Sequence, residues 1–146
     1  MAEVVIERLR EATPEAAEQL NGLMDQLTKN AQQLDKTRLE RILGANGALY
    51  VAKADGVIVG TVYRVDMHHP VRSKSWIEDL VVDENYRGQG IARKLMETAI
   101  AEAPPEMVSV SLNSNISRVD SHKLYAKLGF EVRDDTRIWM RKPVKP

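Results

Sequence analysis

The chain has 146 residues, 43% of them hydrophobic, with 21 Lys and Arg against 21 Asp and Glu and no cysteine. That length buries a sizeable core without staples, and the missing cysteines exclude a disulfide framework, a Cys-rich zinc site and a thiol nucleophile. Zero net charge argues against broad electrostatic attraction to nucleic acid or to an anionic membrane surface, so a charged substrate must be met locally.

Glu3 and Glu7 interrupt the N-terminus before an apolar run of signal-peptide length develops. No stretch approaches the ~20 apolar residues of a membrane span. The expectation is one cytoplasmic domain over 1–146, without nucleic-acid or membrane partners. Val4 to Leu9 alternate weakly and predict a strand. Thr13 as cap and Pro14 at the first helical position then open a helix, with Ala16, Leu20, Leu23, Met24 and Leu27 on its apolar side. A short second helix has Asp35 or Thr37 as cap, Leu39, Ile42 and Leu43 as its buried side and Gly44 as its stop. From Ala48 the pattern turns to strands: Ala48 to Ala54 and Val57 to Met67 form a hairpin across Asp55-Gly56, and Ser75 to Val82 is a third strand. Beyond a polar, glycine-bearing loop, a helix is predicted from Ile91 to Ala103, ended by Pro104-Pro105. A strand over Met107 to Leu112 follows, then a helix from a Ser117 cap to Leu128 closed by Gly129, and finally strands over Phe130 to Arg133 and Arg137 to Arg141. The order β-α-α-β-β-β-α-β-α-β-β describes an α/β chain (α+β, mixed sheet) in which an antiparallel meander precedes a β-α-β crossover.

The stretch Val81-Val82-Asp83-Glu84-Asn85-Tyr86-Arg87-Gly88-Gln89-Gly90-Ile91-Ala92 carries a strand end, a glycine turn and a helix start. Such a junction aims unpaired backbone N–H groups at one point and adds the positive end of the helix dipole. Gly88, Gly90 and Ala92 would let a pyrophosphate approach the backbone, with Arg87 and Arg93 to add charge; alternatively the glycines serve turn conformation alone. No Gly-Lys-Ser/Thr tripeptide occurs, which excludes a P-loop. Arg93 stands where a Rossmann turn needs a third small residue, which excludes that class too.

Arg87-x-x-Gly90-x-Ala92 resembles the Arg/Gln-x-x-Gly-x-Gly/Ala signature of the GNAT superfamily of acyl-CoA-dependent N-acyltransferases. Leu80-Val81-Val82 before it, the amphipathic helix after it and the later Tyr125-Ala126-Lys127-Leu128-Gly129-Phe130 fit the same family pattern, and the likeness runs from about Ala48 to Lys142. The resemblance implies the GNAT fold, with a mostly antiparallel sheet splayed where acyl-CoA binds. It implies that Arg87, Gly88, Gln89, Gly90, Ile91 and Ala92 bind the CoA pyrophosphate and that Leu80, Val81 and Val82 pair with the pantetheine arm. It also implies that Tyr125 protonates the departing thiolate. A phenol with pKa ~10 stays protonated at neutral pH and can serve a thiol of pKa ~8.5; the other reading of Tyr125 is a buried helix aromatic. Where many members carry a pantetheine-binding Asn, this chain has Arg118, with Asn113 and Asn115 nearby as substitutes. Arg118-x-x-Ser121-His122-x-x-Tyr125 resembles a subgroup with Arg-x-x-Ala-His-x-x-Tyr at this place.

Acylating an amine at neutral pH needs a carboxylate, or a water held by one, to take a proton. Glu78 and Asp79 are adjacent acids inside the apolar run Trp76 to Val82. Neighbouring strand residues point to opposite faces, so at least one lies against a packed layer unless the strand bulges. Burial would raise its pKa and suit it to base work, and a partner cation would oppose that shift; the alternative is a structural ion pair. The run Ile77 to Val82 also resembles the diamine and glucosamine-phosphate acetyltransferase branches, which implies Glu78 as base through water and Asp79 as amine holder. His68 and His69 read as a solvated turn, and Arg72 and Lys74 as an edge that would suit an anionic acceptor. The three histidines have no ligand-spaced company, so no metal is expected. The leading expectation is direct transfer from acetyl-CoA to a small-molecule amine; the others are a non-catalytic acyl-CoA-binding module and a protein or peptide N-acetyltransferase. A homodimer through Trp139 and Met140 is a further candidate.

Overall fold

Thr13 caps the first helix as its sequence predicts, its hydroxyl oxygen accepting the Ala16 N–H at 3.0 Å, with Pro14 in the first turn. The structure is a computed structural model and describes residues 3–143; Val144 to Pro146 of the polar tail lie outside them. In order the elements are β1 (Val4–Arg8), α1 (Pro14–Leu27), α2 (Lys36–Leu43), β2 (Gly47–Ala54), β3 (Val57–Met67), β4 (Lys74–Val82), a 3-10 turn (Glu84–Tyr86), α3 (Ile91–Ala101), β5 (Val110–Leu112) and α4 (Val119–Lys127). They fall into two compact units, one up to Ser114 and one from Asn115.

In the larger unit the sheet order is β1-β2-β3-β4-β5. The first four strands are antiparallel neighbours, and β5 joins β4 in parallel after the α3 crossover. The β2–β3 hairpin closes through Asp55 and Gly56, both at positive φ (49° and 79°), which is the turn whose twist suits paired strands. Asp35 is the cap of α2, accepting the Arg38 N–H at 2.7 Å, and Gly44 ends that helix.

One sheet face packs Leu49, Val51, Ile58 and Val81 against Ala16, Ala17, Leu20 and Leu23 of α1 and Leu39 of α2. The other face meets α3. There Gly60 is needed for proximity, since a Cβ on it would stand 3.2 Å from Leu95 and 3.4 Å from Ile91.

Beneath α3 lies a buried polar network. Arg64, 3% exposed, donates through Nε and Nη2 to both carboxylate oxygens of Asp66 (2.8 and 3.1 Å), and through Nη1 to the Tyr50 hydroxyl and the Ala99 carbonyl, each at 2.9 Å. Ser75 donates to Asp66 at 2.7 Å, and Tyr50 donates to Glu102 at 3.1 Å. Burial pushes the Asp66 carboxyl up, but the bonds from Arg64 and Ser75 outweigh it and hold the group below its ordinary value.

The smaller unit departs from expectation. Its helix starts at Val119 with Arg118 at the cap position and no side-chain cap; the Ser117 hydroxyl donates instead to Asn115 Oδ1 at 2.8 Å. Phe130 to Arg133 and Arg137 to Arg141 form no strands. The connection Asp134-Asp135-Thr136 lacks the glycine or asparagine that a tight hairpin favours, and a lone two-stranded hairpin is marginal in water. Arg133 instead closes locally on Asp135 at 2.7 and 3.0 Å. In the larger unit, β5 is shorter than its predicted run, and α3 stops at Ala101 ahead of Ala103.

Asp66→Ala strands the Arg64 charge in the core, and urea unfolding at neutral pH should report a loss of about 3–5 kcal/mol. Replacing the pair together, as Arg64→Met with Asp66→Leu, should recover a large part of it. Because the Asp66 pKa is lowered on folding, its contribution is present above the ordinary carboxyl range and lost as pH falls through the lowered value.

Candidate active site

Glu78 pairs with Tyr63 and Val81 pairs with Thr61, so the single residue Val62 on β3 faces both Asp79 and Leu80 on β4. This is a bulge, and Asp79 occupies its left-handed position at φ 54°, a conformation that Asp, Asn and Gly tolerate best. The strand therefore does bulge. Both carboxylates reach solvent, and Leu80, Val81 and Val82 return to the buried pattern immediately after. Cross-strand pairing puts Glu78 on the face of Tyr63 and Val81, which is the α1/α2 face. Trp76, two residues earlier and opposite Val65, keeps a buried indole N–H with no acceptor among the described residues.

Partial desolvation raises the Glu78 carboxyl, and the Asp79 charge raises it further. Desolvation also raises Asp79, opposed by Arg38 from the first turn of α2. Two adjacent acids with raised pKa values suit proton acceptance near neutral pH better than ordinary surface carboxylates do. His68 acts elsewhere, its charge helping to lower the buried Asp66.

The β4–β5 ladder stops at Ile77 opposite Leu112. From Glu78 to Val82, β4 has no strand partner on that side among the described residues, so an extended group could pair along an edge beginning at the two carboxylates. The chain then turns. Asp83 accepts the Asn85 N–H at 2.8 Å, the Tyr86 N–H bonds the Asp83 carbonyl at 2.9 Å, and Arg87 Nε donates back to the Val82 carbonyl at 3.0 Å. Gly88 and Gly90 are left-handed (φ 79° and 78°), and a Cβ on either would meet nothing within 4 Å. Gly90 caps α3 without a side-chain bond, and the first helical bond there runs from Lys94 N–H to Gly90 O. The N–H groups of Ile91, Ala92 and Arg93 therefore have no helical acceptor, and among the described residues no side chain caps them. Arg93 leans on Glu97 at 2.6 Å. The anion-attracting character of this turn thus rests on backbone and dipole more than on the two arginines.

Glu78, Asp79, Leu80, Val81, Val82, Arg87, Gly88, Gln89, Gly90, Ile91 and Ala92 all follow one another along β4, the turn and the start of α3, and Asn113 stands exposed just after β5. Asn115, Arg118 and Tyr125 belong to the smaller unit. There Asn115 Oδ1 accepts the Ser117 N–H at 2.9 Å, and the Tyr125 ring meets Phe130 edge-on at 6.1 Å and His122 at 6.4 Å. Gly129, at φ 90°, turns the chain so that the Phe130 N–H reaches the Tyr125 carbonyl at 3.0 Å. Arg38 and Gln26 were not singled out by sequence. The Asp35 cap signals where α2 begins, but no sequence pattern tells that Arg38 faces Asp79 or that Gln26 meets Asp83. Among the described residues no group of three or more His, Cys, Asp or Glu is placed to hold a metal, and no helix is long and apolar enough to cross a membrane.

The model of the acetyltransferase (GNAT) family matches residues 9–130. The chain belongs to the GNAT acetyltransferase family. It is 36% identical over 70 residues to N-alpha-acetyltransferase 30 of Saccharomyces cerevisiae, which covers 47% of the chain and 40% of that protein. It is 30% identical over 97 residues to human N-acetyltransferase 8B, which covers 63% of the chain and 43% of that protein. The chain thus spans less than half the length of these curated relatives. Among solved structures it is similar in fold to a ribosomal-protein-alanine N-acetyltransferase from Brucella melitensis, with a TM-score of 0.75 at 23% identity over 97% of the chain and 100% of that structure.

Because both carboxyl pKa values are raised on folding, the native state holds protons more tightly than the unfolded chain, and stability falls as pH rises through that window. Glu78→Gln and Asp79→Asn should each raise the melting temperature slightly at pH 7. The advantage should shrink as pH is lowered until the wild-type carboxyls are protonated, a comparison that thermal unfolding over a pH series makes directly.

Proposed function

We propose that this chain is an N-acetyltransferase that moves the acetyl group of acetyl-CoA directly to a primary amine. The observation that carries the reading is the succession along β4: two carboxylates with raised pKa values, a free strand edge, and an uncapped helix N-terminus behind two left-handed glycines. An elongated thioester ending in a pyrophosphate fits that succession, because each part meets the group it needs. The backbone N–H groups of Gly88 to Ala92 would hold the pyrophosphate, the two glycines supplying the left-handed dihedrals that the turn requires. The Leu80 to Val82 backbone would pair with the pantetheine amides, and Asn113, Asn115 and Arg118 are the family-implied contacts further along. Acetyl-CoA supplies an activated acetyl carbonyl.

Glu78 takes the proton that the acceptor ammonium must lose, directly or through one water, and Asp79 holds the amine. The nitrogen lone pair then attacks the carbonyl, the C–N bond forms as the C–S bond breaks, and Tyr125 gives its proton to the departing thiolate. With no cysteine in the chain, a covalent thioester intermediate on a protein thiol has no candidate residue. The acceptor class we favour is a small-molecule amine. The curated relative named N-alpha-acetyltransferase 30 supports a second acceptor, the α-amine of a protein or peptide.

Tyr125→Phe should cut kcat by about 10²–10⁴-fold with CoA affinity retained, and Glu78→Gln should do the same while removing the acid limb of the pH–rate profile. Thiol release over a panel of polyamines, amino sugars, amino acids and peptides is the assay. A wild-type chain that binds CoA and turns over none of them would support the non-catalytic module instead. Gly90→Ala disfavours the left-handed φ of the turn by about 1–2 kcal/mol, so calorimetry should show CoA binding weakened by about tenfold as the turn leaves the conformation that aims its N–H groups.

A further inference from the structure

Gln26 lies in the last turn of α1, exposed, at a position where sequence alone predicts nothing. Its amide bonds the start of the glycine turn twice. Nε2 donates to Asp83 Oδ2 at 3.3 Å, and Oε1 accepts the Glu84 N–H at 3.0 Å. The same Asp83 carboxylate accepts the Asn85 N–H through its other oxygen. An ionised carboxylate can only accept and a backbone N–H can only donate, so this pair of partners dictates which end of the Gln26 amide faces which. An exposed side chain held by both ends on one turn acts as a clamp, since a single surface bond would leave it free to rotate.

Behind Gln26 the segment joining α1 to α2 is laced to both helices. Asn21 and Leu34 exchange two bonds, Nδ2 to the Leu34 carbonyl (2.9 Å) and the Leu34 N–H to Oδ1 (2.7 Å), and Gln33 donates to Asp25 at 3.2 Å. Arg38 Nη1 donates to the Gln32 carbonyl at 2.9 Å, and the charge of Arg38 acts on Asp79. The hydrogen bonds form a chain that starts at Asp83, just after β4, and passes through Gln26, α1 and residues 32–34 to Arg38, whose charge acts on Asp79. One end of the chain holds the glycine turn; the other reaches the carboxylate bulge through charge alone.

We propose that Gln26 is a positioning residue that couples the donor turn to the amine side, so that CoA seated on the glycine turn fixes the α1–α2 segment beside Asp79. The inference rests on the CoA reading of that turn. Gln26 touches neither substrate; it acts by tying Asp83 and Glu84 to the end of α1. The consequence is linkage: occupation of one site raises affinity at the other by the same factor.

Hydrogen exchange with and without saturating CoA tests it on the intact chain. In the wild type, CoA should slow amide exchange at residues 84–93 and also at residues 32–39. In Gln26→Met, CoA affinity should fall by only about 3–10-fold, two exposed hydrogen bonds being worth that much. Protection at 84–93 should persist and the response at 32–39 should vanish. Gln26→Glu keeps the acceptor for Glu84 but sets a carboxylate against Asp83, so its coupling should be lost at neutral pH and return when acid restores the donor. A response at 32–39 that survives in Gln26→Met, or one absent in the wild type while 84–93 is protected, overturns the coupling and leaves the CoA reading intact. Failure of CoA to protect 84–93 in the wild type overturns both. A purely structural Gln26 would lower the melting temperature and leave the CoA-induced response unchanged.

Discussion

The bulge at Asp79 is the constraint on which the site depends. A regular strand would send Glu78 and Asp79 to opposite faces and drive one of them into a packed layer, at the cost of a buried, unpaired charge. One extra residue opposite Val62 leaves both acids exposed, and burial resumes at Leu80 to Val82. The left-handed φ is tolerable because the residue there is an aspartate. The same irregularity follows directly on Ile77, where the pairing with β5 ends. The acid pair and the unpaired stretch of strand edge therefore arise at one place, next to one departure from ladder geometry.

The two faces of the sheet have divided their work. The α1/α2 face is apolar and carries the exposed Glu78 in register with Tyr63. The α3 face hides an arginine, an aspartate, a serine and a tyrosine in one satisfied network. Arg64 reaches the carbonyl of Ala99 in the last turn of α3, where the helix dipole is negative, while the uncapped N-terminus at the other end opens on the glycine turn. The buried cation thus anchors the C-terminal end of the helix whose N-terminus lies at the glycine turn. Gln26 performs a comparable anchoring on the surface, holding Asp83 and Glu84 from α1.

Electrostatically the chain illustrates how a neutral protein can receive charged groups. Arg87 is bonded to the strand it follows and Arg93 is paired with Glu97, so the positive character of the glycine turn comes from oriented N–H groups. Backbone donors fixed by left-handed glycines need no rearrangement to meet an anion, whereas a flexible arginine must first be ordered.

Much of this was legible in the sequence. Thr13-Pro14, Asp35 and Asp55-Gly56 act through bonds or dihedrals within a few residues, so they place their helices and hairpin without tertiary help. The glycine signature, the acid pair and the GNAT family were readable for the same reason: each is a contiguous run. What depended on distant partners was not. The terminal runs Phe130 to Arg133 and Arg137 to Arg141 read as strands locally, and without a ladder partner such a run forms no strand. Ser117 had the right chemistry for a cap, but Asn115 competes for its hydroxyl. The bulge could be posed from sequence only as a condition, because its position depends on register against β3. The effect of Arg38 on Asp79 and the bonding of Gln26 to Asp83 come from packing the two helices on the sheet, an outcome of side chains far apart in the chain. Sequence by itself determined the local signals and the chemistry available; tertiary structure decided which of those groups face one another, because register and helix packing are set by the whole core at once.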